Sequence, residues 1–111
     1  MIVLTSPSAN RDVERHYERL KHLASRHIAS PRRHDIWFAE AEVAILALRQ
    51  DALIHPLAPE HKIWGRKVRV TLFARGYRLL YEIHADMVWV LRVRAQAADP
   101  QTPWSGKRLS H

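Results

Sequence analysis

A chain of 111 residues with 47% hydrophobic content is long enough for one domain around one core and too short for two. Because it contains no cysteine, it can form no disulfide and perform no thiol chemistry. No apolar run approaches the roughly 20 residues that cross a bilayer, and Met1–Leu4 lacks the length and charge of a signal peptide, so we expect a cytoplasmic protein.

The net charge of +7 is concentrated toward the end of the chain. Residues 61–111 carry ten basic and three acidic side chains, against five and three in residues 1–30 and three and five in residues 31–60. Such a concentration suits a polyanion or an acidic protein partner, although a solvated basic surface has the same composition.

The first third predicts a strand followed by a helix. Ile2–Thr5 is apolar and β-branched and indicates an edge strand. Ser6 is a good helix cap, and Pro7 fits the first helical turn, where no donor is lost. Apolar residues then recur at helical spacing, at Val13, Tyr17, Leu20, Ala24 and Ile28. The pattern predicts one amphipathic helix.

A second helix is predicted after Ser30–Pro31, which repeats the cap signal, and it should end before Asp51. Its apolar positions are Ile36, Trp37, Ala41, Ala44, Ile45 and Leu48. A short link between two helices predicts an antiparallel hairpin. Ala52–Gly65 contains two prolines and has no periodicity, so we expect a connecting loop.

From Lys67 onward the apolar period becomes two, which predicts three antiparallel strands with turns at Arg75–Gly76 and Ala85–Asp86. The helix-packed face would hold Val68, Val70, Leu72, Leu79, Tyr81, Ile83, Val88 and Val90, with Arg92 at its end. The predicted class is α+β: an N-terminal strand, an antiparallel helical hairpin, and a three-stranded antiparallel sheet packed on the helices. Residues 1–95 form one domain, and 96–111 an irregular tail.

With two-residue turns, the register places nine residues on the other face of the sheet. They are Arg69, Thr71, Phe73, Arg78, Leu80, Glu82, Trp89, Leu91 and Val93. An antiparallel sheet covered on one side normally shows water a polar face, so we expect its apolar members to form an exposed patch for a partner. The alternative is that the tail covers this patch, through Trp104.

Three segments carry a resemblance to a known family. Residues 76–83, GYRLLYEI, with residues 85–93, ADMVWVLRV, resemble the central hairpin of the RelE/ParE toxins of type II toxin–antitoxin systems. Residues 6–12, SPSANRD, resemble the start of the first helix of that family. The order of the predicted elements is the same, and the resemblance covers about residues 2 to 95.

The resemblance implies a growth-inhibiting toxin, of the kind that also stabilises plasmids, neutralised by an antitoxin laid along it as a helix or extended segment. The family acts either by cleaving messenger RNA in the ribosome or by poisoning DNA gyrase. We expect the antitoxin to bind the apolar members of the open face, Phe73, Leu80, Trp89, Leu91 and Val93.

The cationic residues that the family nucleases use are only partly matched. Arg78 and Arg69 match, but Thr71 replaces one basic residue, Ala97–Ala98 replaces a second, and Trp104 replaces the terminal acid and cannot donate that proton. We therefore rank gyrase poisoning, which needs no catalytic side chain, ahead of RNA cleavage, although the last strand lacks the histidine frequent in gyrase-directed relatives. The expected target-binding residues are Arg69, Arg75, Arg78, Arg94 and Trp104.

Two further interpretations have less support. The eight histidines lack the spacing of a metal site, and no phosphate-cradling glycine loop exists, so we predict no metal and no cofactor. A basic nucleic-acid-binding module without catalysis remains an alternative. The register opposes it, because Arg92 and Arg78 point to opposite faces and the arginines form no single stripe.

Overall fold

The computed structural model describes residues 1–26 and 32–96, which form a four-stranded sheet with a helical hairpin on one face. The elements, in chain order, are β1 (Ile2–Thr5), α1 (Pro7–Ser25), α2 (Arg33–Asp51), α3 (Glu60–Trp64), β2 (Arg69–Phe73), β3 (Tyr77–His84) and β4 (Met87–Ala95). The strand order is β1-β4-β3-β2, with β1 parallel to β4 and the other pairs antiparallel. The predicted α+β class and element order are confirmed.

The junction between β1 and α1 follows the predicted cap. The Ser6 hydroxyl accepts a hydrogen bond from the Ala9 N–H at 3.0 Å and donates one to the Leu91 carbonyl at 2.9 Å. Pro7 occupies the first turn of the helix. One serine therefore satisfies a free donor of the helix terminus and also attaches that terminus to β4.

The helical hairpin covers one face of the sheet and builds the main core with it. The buried members of this core are Ala9, Leu20, Trp37, Ala41, Leu48, Ala52, Phe73, Leu79, Tyr81, Val88, Val90 and Val93. The N-cap residue of α2 is Arg32, whose side chain makes no capping hydrogen bond; the predicted cap Ser30–Pro31 lies outside the described residues. The predicted tail, from residue 97 on, does too.

Ala52–Gly65 connects α2 to β2 as expected, but it is not a loop throughout. A 3-10 turn, Ala52–Ile54, continues from α2, and α3 follows, ending at Gly65 with a φ of +65°. Both helices are shorter than the two turns over which an apolar period becomes visible in a sequence. This linker contacts the sheet along its length: Ala58 N–H bonds to the Val68 carbonyl at 2.8 Å.

The first hairpin differs from the prediction by one residue. Its turn has three residues, Ala74, Arg75 and Gly76, all with positive φ, and Phe73 pairs with Tyr77. Since side chains alternate between faces, a shift of one residue turns the whole of β2 over. Arg69, Thr71 and Phe73 lie on the helix side, whereas Val68, Val70 and Leu72, predicted there, lie on the far side.

The second hairpin has the predicted two-residue turn, because His84 pairs with Met87 around Ala85–Asp86. A β-bulge then interrupts β4, since Tyr81 pairs with Val90 but Leu80 pairs with Arg92. The extra residue reverses the alternation beyond it. Val93 therefore pairs with Leu79 and packs in the core beneath the helices, instead of on the far face as predicted.

Candidate functional site

The far face of the sheet is covered by the linker. A second core of Ala58, Val68, Leu80 and Leu91 is fully buried there, with Trp64, Val70 and Trp89 packed around it. The predicted open apolar patch is therefore wrong in two ways: Phe73 and Val93 lie in the main core, and Leu80 and Leu91 lie under the linker. Only Trp89, of the five, is partly exposed. An antitoxin would reach Leu80 or Leu91 only by displacing the linker.

A buried ion pair attaches α3 to this face. Arg78 Nη1 donates to Glu60 Oε1 at 2.8 Å, and Arg78 Nη2 lies 2.8 Å from Glu60 Oε2. The side chain of Glu60 is fully buried and that of Arg78 is 9% exposed. Because a buried charge is stable only when it is paired, Arg78 is held by Glu60 and is not free to contact a target.

Arg94 lies beside this pair and is also buried. Burial lowers the pKa of Arg94, and the nearby charges of Arg92 and Arg78 lower it further, whereas Glu60 and Asp12 raise it. Two carboxylates thus offset three guanidinium groups in one part of the sheet. No local sequence pattern indicates this cluster, because Asp12, Glu60 and the arginines are far apart along the chain.

Arg69, the other arginine of the nuclease set, lies on the opposite face. It pairs across the sheet with Tyr81, and its Nη1 donates to the carbonyl of His55 at 2.7 Å. The sheet thus separates Arg69 from Arg78, and each cation is already engaged. Within residues 1–26 and 32–96, the two arginines do not converge on a site that could stabilise a phosphorane.

The remaining predicted target-binding residues are Arg75 and Trp104. Arg75 lies exposed in the β2–β3 turn. Trp104 lies outside the described residues. Of the four predicted arginines, Arg75 alone is fully accessible in the free chain, so the predicted group does not form one described surface.

The accessible candidate surface is the edge of the sheet at β2, next to α2. A groove of about 470 Å³ runs between them, and its lining includes Val43, Ala47, Leu72 and Phe73. The Val70 N–H points outward, because it donates to the Pro56 carbonyl at 3.0 Å. By strand alternation the N–H and C=O of Leu72 point the same way, and its side chain is 59% exposed. An extended peptide could add to the sheet here.

Residues 1–26 and 32–96 show neither a metal-binding cluster nor a membrane-spanning helix. No group of three or more histidine, aspartate or glutamate side chains lies close enough together to hold a metal ion. No helix in these same ranges has the length and apolar character that a membrane crossing requires.

The architecture, a helical hairpin on an antiparallel sheet with a parallel N-terminal edge strand, is consistent with the RelE/ParE fold that the sequence resemblance implied. Among solved structures, the chain is similar to a chain of the "Chromosomal ParDE TA system from P. aeruginosa", with a TM-score of 0.65 and 15% identity over 86% of this chain and 95% of that one. No protein-family model and no curated protein matches the sequence.

Proposed function

We propose that this chain is the toxin of a type II toxin–antitoxin pair, acting in the cytoplasm by binding DNA gyrase and blocking its reaction cycle. The observation that carries the proposal is the fold, which is shared with a chain of a ParDE system over most of both lengths. Expression of the chain alone should arrest growth, and co-expression of the protein encoded beside it should restore growth. Absence of both effects would refute the proposal.

The contacts of Arg78 and Arg69 favour binding of the target over catalysis. Arg78 is neutralised by Glu60, and Arg69 lies on the opposite face with its guanidinium bonded to backbone carbonyls. RNA cleavage at a 2′-hydroxyl needs converging cations and an acid, and the described residues offer no such arrangement. This geometry therefore favours an activity in which the chain inhibits its target by binding to it, without a catalytic step.

The target is tested with the purified chain in two parallel assays. In the first, gyrase supercoiling and the accumulation of cleaved DNA–gyrase complexes are measured against toxin concentration. In the second, ribosomes translating a defined message are assayed for cuts at codon positions. We expect inhibition in the first assay and none in the second. Cuts at codon positions, together with intact gyrase activity, would show that the target is the ribosome and not gyrase.

The third possibility, a nucleic-acid-binding module, is tested by the salt dependence of its affinity for nucleic acid. A protein that neutralises several phosphates loses affinity steeply as salt rises, because condensed counterions are released on binding. Fluorescence anisotropy with a labelled DNA duplex and a labelled RNA should show weak binding only. Tight, salt-sensitive binding to either, without gyrase inhibition, would overturn the proposed function.

We further propose that the antitoxin adds an extended segment to the edge of β2 at Leu72, beyond the part that the linker pairs with, and places apolar side chains in the groove beside α2. The outward backbone groups of Leu72 and the apolar lining from Val43 and Ala47 support this mode of recognition. It replaces the patch predicted from sequence, which the linker and the helices bury.

A proline substitution tests the added strand without disturbing the sheet. Leu72→Pro removes an outward N–H at an edge, where proline is tolerated, and no donor of the β2–β3 ladder. It should weaken antitoxin binding up to about tenfold, which is the loss of one hydrogen bond. Leu72→Ala is the matched control, since it keeps the N–H. Equal binding by Leu72→Pro and wild type, measured by calorimetry, would exclude this edge.

A further inference from the structure

The outward side of α2 is apolar, unlike that of an ordinary surface helix. Val43 is 67% exposed, Leu46 58% and Ile36 57%, and Leu53, in the turn that continues α2, is 63% exposed. Trp37, Ala41 and Leu48 on the inward side are buried in the main core. The helix is therefore hydrophobic on two sides, whereas a helix that covers one core needs only one.

The exposed residues follow the spacing of a coiled-coil seam. The alternating steps of three and four residues pass through Ile36, Ala39, Val43, Leu46, Gln50 and Leu53, which we call the α2 seam. In heptad terms, Ile36, Val43 and Gln50 are a positions, and the other three are d positions. A seam of this spacing is complementary to a second helix with the same spacing.

The charges beside the seam indicate which helix it fits. The g positions, on one flank of the seam, are Asp35, Glu42 and Arg49. The e positions, on the other flank, include Glu40 and Ala47. In a parallel pair of α2 helices, g faces e of the second copy, so Asp35 would lie opposite Glu40 twice. Like charges opposite each other disfavour the parallel pair.

In an antiparallel pair, g faces g and e faces e, and one register removes every like-charge contact. It pairs Val43 with Leu46 and Ala39 with Gln50 of the second copy, which gives four layers within α2, and it brings Ile36 toward Leu53 in the 3-10 turn of the second copy at each end. Glu42 then lies beside Arg49 of the second copy at two symmetric places, and Glu40 faces Ala47. A shift by one heptad places Glu42 against Glu42, or Arg49 against Arg49.

We propose that this chain forms a two-fold symmetric homodimer through the α2 seam, with the two α2 helices antiparallel and Val43 of each copy packed on Leu46 of the other. The self-complementary charge pattern and the length of the exposed apolar stripe carry this inference, which does not rest on the proposed function; because Val43 also lines the groove beside β2, the dimer and the antitoxin complex exclude each other. A contact in which the same patch is used by both copies closes on itself and forms a dimer, not a fibre.

Sedimentation of the full chain tests the dimer. A single helix pair buries less area than a standard interface, so we expect a weak dimer, formed over roughly 1 to 300 μM protein. Val43→Lys should weaken self-association about a hundredfold, because it buries an unpaired charge in the seam. Ile63→Lys, the same change at an exposed residue on α3, is the control and should dimerise like the wild type.

A monomer at every concentration would overturn the proposal, as would a dimer that Val43→Lys leaves intact. Circular dichroism of each variant establishes that it is folded. A charge exchange adds a test that no loss of folding can imitate. Glu42→Arg alone and Arg49→Glu alone should each weaken the dimer about tenfold, and the double variant should restore it. Failure of the double variant to recover would exclude the proposed register.

Cross-linking distinguishes the antiparallel pair from the parallel one, because the chain has no cysteine of its own. An equimolar mixture of Val43→Cys and Leu46→Cys should form a disulfide-linked heterodimer under mild oxidation, since these positions face each other in the antiparallel register. In a parallel pair, Val43→Cys would instead link to itself. Efficient self-linking of Val43→Cys, with no mixed product, would overturn the antiparallel arrangement.

Discussion

Arg78 on β3 and Glu60 on α3 form a buried ion pair whose two N–O distances are both 2.8 Å. The pair joins the linker to the far face of the sheet. It also gives a structural role to Arg78, one of the two arginines that the resemblance assigns to catalysis if the chain is a nuclease.

Removing the carboxylate should destabilise the fold strongly. Glu60→Ala leaves Arg78 charged and buried without a partner, and we expect the free energy of unfolding to fall by about 3–5 kcal/mol. Urea denaturation measures it. Glu40→Ala, at an exposed position on α2, is the control and should change stability by less than about 0.5 kcal/mol.

Replacing both partners separates a structural role from a functional one. Glu60→Leu with Arg78→Met substitutes apolar contacts for the pair and should recover most of the lost stability. If the double variant is stable and still toxic in cells, Arg78 performs no chemical step. A stable double variant whose activity falls by several orders of magnitude would contradict this assignment.

A second charged contact fixes α1 on the sheet. Asp12 accepts hydrogen bonds from Arg92 Nε at 2.6 Å, from Arg92 Nη2 at 2.9 Å and from the Val93 N–H at 2.9 Å. Asp12→Asn keeps the shape but loses the charge and part of this bonding, and we expect a loss of about 2–3 kcal/mol. Asp35→Asn, exposed on α2, is the control. Equal denaturation midpoints for the two variants would contradict the prediction.

The sequence predicts the local parts of the fold well. The Ser6 cap, β1, both long helices, the three later strands and the turn at Ala85–Asp86 all follow from spacings within a few residues, and the structure confirms them. Periodicity reports such features because each is decided by its neighbours in the chain. Arg92 is an exception: beyond the bulge it pairs with Leu80 of the far face, and not with the helix side as predicted, although its guanidinium reaches Asp12 on α1.

The faces on which the predicted site residues lie depend instead on two features that the apolar periodicity does not reveal. One is the length of the turn before Tyr77, which is three residues and not two, and which places Phe73 in the main core. The other is the bulge in β4, which does the same for Val93. The burial of Leu80 by the linker depends on contacts that are distant in sequence, including Glu60 with Arg78.

Two glycines with positive φ, one in the three-residue turn and one at the end of α3, should contribute to stability through their backbone conformation. Gly76 has a φ of +133° and Gly65 one of +65°, and a Cβ at either position would meet no atom within 4 Å. Any cost of Gly→Ala is therefore conformational. Gly65→Ala should cost about 1 kcal/mol, as for a left-handed helix cap, and Gly76→Ala about 2–3 kcal/mol, since non-glycine residues rarely adopt its φ. Thermal denaturation of the two variants compares these losses of stability, and a larger loss for Gly65→Ala than for Gly76→Ala would contradict the prediction.

The ring of His16 packs between two aromatic rings: its centroid lies 5.0 Å from that of Tyr77 and 5.7 Å from that of Trp37. Burial lowers the pKa of His16 below its ordinary value of 6.5; Arg15 and Arg19 lower it further, and Asp12 and a hydrogen bond to the backbone of Val93 oppose the shift. The unfolded chain thus takes up this proton more readily than the folded one.

Stability from His16 is therefore fully present above pH 6.5 and is lost as the pH falls below that value toward the lower pKa of the folded state. Urea unfolding of the wild type between pH 5 and pH 8, a range of roughly 1.5 units on either side of the free histidine pKa, should show stability rising with pH. His16→Gln should reduce this rise, because the buried group no longer titrates. His22→Gln, at an exposed position on α1, should retain it. The same slope in the wild type and in His16→Gln would show that His16 is not the group responsible.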